Sequence, residues 1–508
     1  MRQHLTSWRQ RQPRWYPVVI AVIVIWGSAL RIAHLSSGTL FRDDAWVALS
    51  TRVNFETAWQ MVGASPGYIM GIRSWIGLVG QTTWLMQLPT LMVSIASLVL
   101  FVALARWWGL SHVSTSVGLA VLASSRVAVE YSTHLKPYSH DIFMASLLLA
   151  SAAAAQRPRG RWFFAVVAAG ALMTSLTALP LVLGLMAVVA VRHARAGHLR
   201  RLALPAGLLG LPTAVVTWIA VRNLSPRLHE SWKANFVDFS TPSSIVRSGW
   251  NCLRGLLWGL VDTTPRVGLN GVGLLVTIVS LLFIGIGIVQ RGRSSLPASA
   301  LACGGLAAAL SVMPLGTGRT DAYLYVPILL LFGAGLDRVV STSSRPLLRN
   351  IALGAALIVG LVGLSDASRH PHPYPGGDFH LVSQAAEKHI AQGGSVIVEG
   401  TARWPWTYYV APRFELVFSS KYNTGFAPVV SQPHVVVMPG SPIEGEYHPQ
   451  RAVDALEGAP QIMTIRADDW EIANPLGPAL HRSCYLHMQH QHVPGYFIDT
   501  WEKVCEPN

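Results

Sequence analysis

The chain has 508 residues, of which 51% are hydrophobic and only 13% charged, and its mean hydropathy is positive. A water-soluble protein of this length carries far more charge, so the composition excludes a soluble enzyme and indicates a polytopic α-helical membrane protein. The net charge of +14 is not a nucleic-acid footprint, because the basic residues stand in short clusters between apolar runs and form no continuous stripe.

In chain order, Met1 to Trp15 carries Arg2, Arg9, Arg11 and Arg14, and an apolar run follows from about Pro17 to Leu35. A signal peptide has a shorter apolar core and a small-residue cleavage site, so this run reads as an uncleaved helix with a cytoplasmic N-terminus. Further runs lie near Leu85–Trp107, Val113–Val129, Tyr138–Ala155, Trp162–Ser175, Leu176–Val191, Leu202–Val221, Val272–Val289, Pro297–Pro314, Ala322–Leu336 and Ile351–Leu364. About eleven spans result. The basic loops fall on alternate sides: Arg157, Arg159 and Arg161; Arg192, Arg195, Arg200 and Arg201; Arg291 and Arg293; Arg338, Arg345 and Arg349 all share the N-terminal side. An odd span count puts the C-terminal tail outside the cytoplasm, in a multi-pass protein of the cell membrane.

Three segments lack membrane character, which divides the chain into a membrane domain over residues 1–365 and an outer domain over 366–508. The outer loop 36–84 contains amphipathic pieces, Phe55–Val62 and Tyr68–Leu78, suited to lying in the interface. The outer loop 222–270 is aromatic and mixed in charge. The tail has a linker at Pro371–Pro375, then a helix-like Phe379–Gln392 and strand-like Ser395–Glu399 and Pro433–Met438, which reads as a small α/β domain. Cys484 and Cys505 both lie in the tail, where oxidation is permitted and pairing is open to them. With no CxxC and no His/Cys cluster at ligand spacing, the sequence offers no metal site.

Polar chemistry gathers at three outward turns. The first is Phe41-Arg42-Asp43-Asp44-Ala45-Trp46, where two adjacent carboxylates sit just beyond a membrane helix. On its own such a pair also serves as an acidic helix cap. The second turn runs from Glu130 to Asp141 and holds Tyr131, His134, Lys136, Tyr138 and His140. A lysine at a helix start opposes the helix dipole, and an anionic ligand compensates it. The third turn, Leu315 to Tyr323, offers Gly316 and Gly318 for close backbone approach and Arg319 for a phosphate, or an Arg319/Asp321 ion pair closing a tight turn. Two cationic turns and one carboxylate pair fit an anionic, lipid-linked substrate.

Ser65-Pro66-Gly67-Tyr68, then Gly80-Gln81-Thr82-Thr83-Trp84-Leu85-Met86-Gln87-Leu88-Pro89, then Glu130-Tyr131-Ser132 through Lys136-Pro137-Tyr138 resemble the bacterial multispanning glycosyltransferases of the GT-C fold. The similarity is to the dolichyl-phosphate-mannose-protein mannosyltransferase-like group, which includes the lipid A aminoarabinose and core galacturonic acid transferases. It covers Arg31 to Ala150, and Gly316 to Pro327 by a glycine-arginine turn before a span. The resemblance implies a polyprenyl-phosphate sugar donor, used at the outer face of the membrane, and an acceptor in the cell envelope that is a glycolipid, polysaccharide or protein. It places Asp43 at the first acidic position, as general base or acceptor-orienting group, and Asp44 where many members carry glutamate. Lys136 matches the basic residue before Pro-Tyr and is assigned, with Arg319, Tyr131, His134 and Tyr138, to the lipid phosphate and donor. Ser65 departs from the family's His-Pro-Pro start.

The chemistry implied needs one base and one or two cations. A carboxylate accepts the proton of a poorly nucleophilic hydroxyl as it attacks the anomeric carbon, and a cation stabilises the departing phosphate monoester. The donor has no diphosphate to neutralise, so neither a metal nor a cofactor is expected. A multispanning transporter or flippase of lipid-linked precursors is the alternative, distinguished by inverted repeats or broken mid-membrane helices. A non-catalytic assembly protein gives no reason for the acidic pair.

Overall fold

The computed structural model describes residues 13–35, 38–40, 42–61, 65–223, 226–261, 270–290, 294–369, 378–419, 421–422, 424–438, 447–456, 458–468 and 476–505. The Pro371–Pro375 linker, Arg291, Arg293 and the arginines before Pro13 lie outside the described residues.

The apolar runs fold as helices: Trp15–Ile32, Thr83–Trp108, His112–Ser124, Tyr138–Ala154, Pro158–Thr174, Ala178–Arg195, Ala203–Asn223, Asn270–Val289, Ser295–Ala309, Tyr325–Thr342 and Pro346–Arg369. Five stretches of the described residues are long and apolar enough to cross a membrane, Trp15–Ile32, Thr83–Trp108, Ala178–Arg195, Ala322–Thr342 and Pro346–Gly363. Shorter apolar helices, His112–Ser124, Leu274–Val289 and Ser295–Ala309, lie beside them in sequence. The chain is a polytopic helical membrane protein with a C-terminal sheet. Close packing between helices falls to small residues, as it does where lipid removes the hydrophobic drive for association. A Cβ on Gly335 would stand 1.9 Å from the carbonyl oxygen of Phe283, so the Asn270–Val289 and Tyr325–Thr342 helices meet backbone to backbone.

The Val113–Val129 run, expected as one span, breaks in two. Ser125 takes an extended ψ of 119° and its side chain caps a second helix, Arg126–Glu130, by accepting from the Ala128 N–H at 3.4 Å. The carbonyls of Leu122 and Ala123, freed at the break, receive the buried Arg31 guanidinium at 3.2 and 2.9 Å. Unpaired carbonyls inside a membrane are costly, so this one arginine makes the break tolerable.

Among the described residues of 222–270, read as an outer loop, most are helical: the Ala203–Asn223 helix runs into them, and Pro226–Ser231 and Pro242–Leu260 follow. Pro242–Leu260 opens with Thr241, whose side chain accepts from the Ser244 N–H at 3.1 Å, and with Pro242 at its first turn.

Among the described residues of the tail, Phe379–Ala391 is a helix and seven strands follow: β1 Ser395–Val398, β2 Phe414–Phe418, β3 Phe426–Val430, β4 Val435–Val437, β5 Gln461–Ala467, β6 Tyr485–Val493 and β7 Tyr496–Lys503. The main sheet has the order β4-β1-β5-β7-β6, with β1 parallel to β4 and β5, and β7 antiparallel to β5 and β6; β2 and β3 form a separate hairpin. The fully buried Ser-Val-Ile-Val of β1 suits a central parallel strand. Cys484 and Cys505 form a disulfide across the β6/β7 ends, with Cα atoms 5.5 Å apart.

Tail and membrane helices share one core. Leu40, Trp46, Leu49, Met86 and Leu135 pack with Trp404, Tyr408, Leu416 and Phe426. Arg52 stitches the seam, donating to the carbonyls of Thr407 at 2.9 Å and Ala411 at 2.8 Å. The amphipathic pieces of the first outer loop are the helices Phe55–Gln60 and Pro66–Val79.

Candidate active site

The seven-residue helix Arg42–Ala48 carries Asp43 and Asp44 in its first turn, where carboxylates favour the helix dipole. Its neighbours on the tail side hold it in place: the Trp46 ring packs against Trp404 at 4.5 Å between centres and a tilt of 48°, the Leu40 N–H donates to Tyr409 Oη at 2.9 Å, and Arg42 reaches Thr401 Oγ1 at 3.3 Å and Asp468 at 3.5 Å.

The two carboxylates have different surroundings. Asp43 is 42% exposed and its Oδ2 lies 3.6 Å from the buried Lys136 Nζ. Burial alone would raise its pKa, but Lys136, then Arg319, His134 and Arg42, outweigh that and hold the carboxyl below its ordinary range. Asp44 is fully buried, with Oδ1 accepting from the Leu135 N–H at 2.9 Å and Oδ2 3.0 Å from His134 Nδ1. Burial would lower His134; the charge of Asp44 and a hydrogen bond to it, with Glu130 and Asp43 behind, raise it above its ordinary value instead. Asp44 therefore grips the 130–138 turn, and Asp43 is the carboxylate that solvent or a substrate can reach.

That turn packs its aromatics together. Tyr131 lies edge-on to Tyr138 at 4.8 Å between ring centres and 5.1 Å from the His134 ring. Ser139 Oγ donates back to the Tyr131 carbonyl at 3.0 Å. Asp141 points into the helices, where Thr177 Oγ1 donates to it at 2.6 Å.

Arg319 arrives from the third turn. Its pKa is pushed further up by Tyr138, against the cost of burial, and then by Tyr131, Asp43 and a hydrogen bond with the Tyr131 side chain. The turn is braced from inside: Asp321 Oδ2 accepts from the Gly316 N–H at 2.7 Å, and Thr317 Oγ1 accepts from the N–H groups of Arg319 at 3.2 Å and Thr320 at 2.9 Å. Asp321 thus serves the backbone of the turn. Burial pushes its carboxyl up to about 6 against the pull of those backbone N–H groups. From outside, the Pro242–Leu260 helix lies on the turn so closely that a Cβ on Gly255 would meet the Gly316 oxygen at 2.2 Å, and Tyr325 Oη donates to the Gly318 carbonyl at 3.1 Å. Both Gly316 and Gly318 have positive φ, 82° and 73°.

All seven residues singled out in the sequence, Asp43, Asp44, Tyr131, His134, Lys136, Tyr138 and Arg319, come together at this end of the helices. An open cleft of about 1640 Å³ lies at the other end, lined by Ser111, Gln290, Asp337, Arg338 and Arg349 among others, away from the carboxylates. Ser65, at the family's His-Pro-Pro position, donates its hydroxyl to the carbonyls of Leu172 and Met173. Sequence reasoning did not find Arg42, which links the Asp43 helix to the tail, nor the tail's Glu399 and Arg466.

No family model matches the chain, and no curated protein matches it in sequence. Solved structures do. ArnT from Cupriavidus metallidurans in the apo state superposes with a TM-score of 0.56 at 12% identity, over 96% of this chain and 97% of that one. The chain has the GT-C fold of ArnT. ArnT from the same organism bound to undecaprenyl phosphate gives a TM-score of 0.53 at 14% identity, over 96% of this chain and 98% of that one. The ArnT-like fold therefore spans the membrane helices and the tail alike, in agreement with the core they share.

Proposed function

We propose that the chain is a membrane glycosyltransferase that moves a sugar from a polyprenyl-phosphate donor to a cell-envelope acceptor on the outer face of the membrane. The observation that carries this reading is the pairing of a solvent-reachable carboxylate, Asp43, with a buried lysine, Lys136, beside Arg319. The ArnT fold, one instance of which is bound to undecaprenyl phosphate, supports it. The donor phosphate binds Lys136 and Arg319, with Tyr131 and Tyr138 walling the site. As it arrives it competes with Asp43 for Lys136, which frees Asp43 to accept the acceptor hydroxyl's proton during attack on the anomeric carbon. The two cations then stabilise the phosphate monoester that leaves. Asp44 is a positioning residue, acting through His134 and Leu135.

The same reading places about eleven spans across the membrane, a cytoplasmic N-terminus, and the tail of residues 366–508 outside. The helix ends near Arg106, His112, Asp337 and Arg349 form the cytoplasmic rim, and the Asp43, Lys136 and Arg319 turns the outer one. The deciding test incubates purified protein with a panel of radiolabelled polyprenyl-phosphate sugars and a membrane extract as acceptor. Loss of label from one lipid-linked sugar, absent in Asp43→Asn, is the expected result. Retention of label on every donor, with folded protein, removes the proposal.

A further inference from the structure

The tail carries a second group of chemistry-bearing side chains. Strand β6 reads Tyr-Leu-His-Met-Gln-His-Gln-His-Val, with histidines at 487, 490 and 492. In a regular strand His487 and His490, three apart, point to opposite faces. The β6/β7 register slips between His487 and Gln489, so that His487 pairs with Trp501, His490 with Asp499 and His492 with Phe497. A bulge that inserts one residue re-aims a side chain. Here it brings all three histidines onto the face that carries Asp499.

Two of them converge on it. Asp499 Oδ1 lies 3.2 Å from His487 Nε2 and 2.6 Å from His490 Nδ1, and the three ligating atoms all fall within 4.8 Å of one another. Asp499 is nearly buried, at 4%, whereas the imidazoles are 39% and 46% exposed and open to solvent. The surroundings resemble the outer layer of a metal centre, in which ligands are themselves held. Arg466 Nε is 3.6 Å from Asp499 Oδ2, the oxygen the histidines do not use, and lies over the Phe497 ring at 4.7 Å. The His487 ring stands edge-on to Trp501 at 4.8 Å. Across the same sheet, the buried Glu399 carboxyl, bonded by Tyr447 at 2.8 Å, lies near Arg466 and Asp499.

We propose that His487, His490 and Asp499 bind one divalent transition-metal ion of the zinc class, with water at the remaining position. Two imidazole nitrogens and one carboxylate oxygen suit zinc and exclude magnesium or calcium as the preferred ion. Ligands of a tetrahedral zinc stand about 3.3 Å apart, from bonds of about 2.0–2.1 Å. The His487–Asp499 distance already matches; His490 has to move outward from Asp499 by about 0.7 Å, and the set, now spread over as much as 4.8 Å, has to draw in to the same spacing, a rearrangement open to two exposed rings. The ion replaces the proton shared in each His–Asp contact and clamps β6 to β7. The site is separate from the Asp43 centre and does not depend on the donor reading.

The test uses full-length protein in detergent, purified on a tag without histidine, stripped with chelator and dialysed. Addition of Zn²⁺ should give one bound equivalent per chain and raise the melting temperature, while Mg²⁺ does neither. Co²⁺ should give the visible absorption of a low-symmetry four-coordinate site. His487→Ala and His490→Ala, both on exposed side chains, should each weaken Zn²⁺ affinity by about 100-fold or more and abolish the cobalt spectrum. His492→Ala, which removes a side chain 3.4 Å from Asp468 and not from Asp499, should leave both intact. Zinc uptake that survives the His487→Ala/His490→Ala double substitution, or no uptake by folded wild-type protein, overturns the proposal.

Discussion

Replacing Asp43 by asparagine keeps the size of the side chain and removes its charge and basicity, so it separates the two things Asp43 does in this geometry. At 3.6 Å from Lys136, in an effective dielectric of about 20, the carboxylate–ammonium attraction is roughly 4–5 kcal/mol. Asp43 is 42% exposed, and solvent screening brings the usable part down to about 1 kcal/mol. That amount opposes capture of an anionic phosphate by Lys136. Asp43→Asn should therefore tighten donor binding by about fivefold. Turnover should fall by about 100-fold or more, the usual contribution of a general base. Opposite movements of affinity and rate are hard to obtain from misfolding. Donor titration, single-turnover transfer and melting temperature are measured on one preparation. Asp44→Asn is the contrast: it breaks a buried ion pair with His134, and the expected effect is a melting temperature lowered in keeping with a loss of about 3 kcal/mol, with a smaller loss of rate in the protein that stays folded. A folded Asp43→Asn protein with near-normal turnover would take Asp43 out of the mechanism.

Lys136→Ala and Arg319→Ala should each weaken binding of a polyprenyl-phosphate sugar by roughly 1.5–3 kcal/mol, the scale of a charge-assisted hydrogen bond; unchanged affinity in both folded variants would make them structural charges. Glu399 is nearly buried, and burial pushes its carboxyl up to about 7 against the hydrogen bond from Tyr447 and the charge of Arg466. Because the folded value lies above the unfolded 4.5, the folded state holds the proton more tightly, and stability is lost as pH rises from about 4.5 through about 7, by roughly 3 kcal/mol. Glu399→Gln should thus raise the melting temperature at pH 8.5 and change it little at pH 4; parallel pH profiles for the two proteins contradict this. A reporter fused after Asn508 should be active only outside the cytoplasm, and one after Arg195 only inside, with a cytoplasmic C-terminus breaking the placement of the three turns on one side.

The helices and the three polar turns were legible in the sequence because both depend on local pattern. Apolar runs of membrane length allow little besides a helix, and polar residues concentrated between such runs mark the ends. That Asp43, Lys136 and Arg319 meet follows once the turns lie on one rim, which the alternation of basic loops already implied. The different duties of Asp43 and Asp44 were not legible. They depend on which carboxylate the helix turns toward Leu135 and His134, a matter of one step of about 100° that no neighbouring residue announces.

What escaped the sequence reading altogether rests on long-range register. Pro242–Leu260 looked like loop because its apolar residues are interrupted by Arg247, Arg254 and Asn251, yet its glycines are what let it lie on the Gly316 turn and aim Arg319. The histidines of β6 offered no cluster at ligand spacing because His487 stands out of the two-residue period that His490 and His492 share, and only the slip beside Met488 brings it to their side. The two cases share a cause. A residue pattern predicts an element when the element's own period sets which side chains meet; here the meeting is set by a partner on another element, Gly316 for the helix and, nine to twelve residues on, Asp499 for the strand. Arg42 joins these distant parts, since the same guanidinium touches Thr401 and Asp468 of the tail, and Asp468 in turn faces His492 of β6 at 3.4 Å. The residue next to Asp43 is thereby joined, through Asp468, to the strand that bears the histidine cluster.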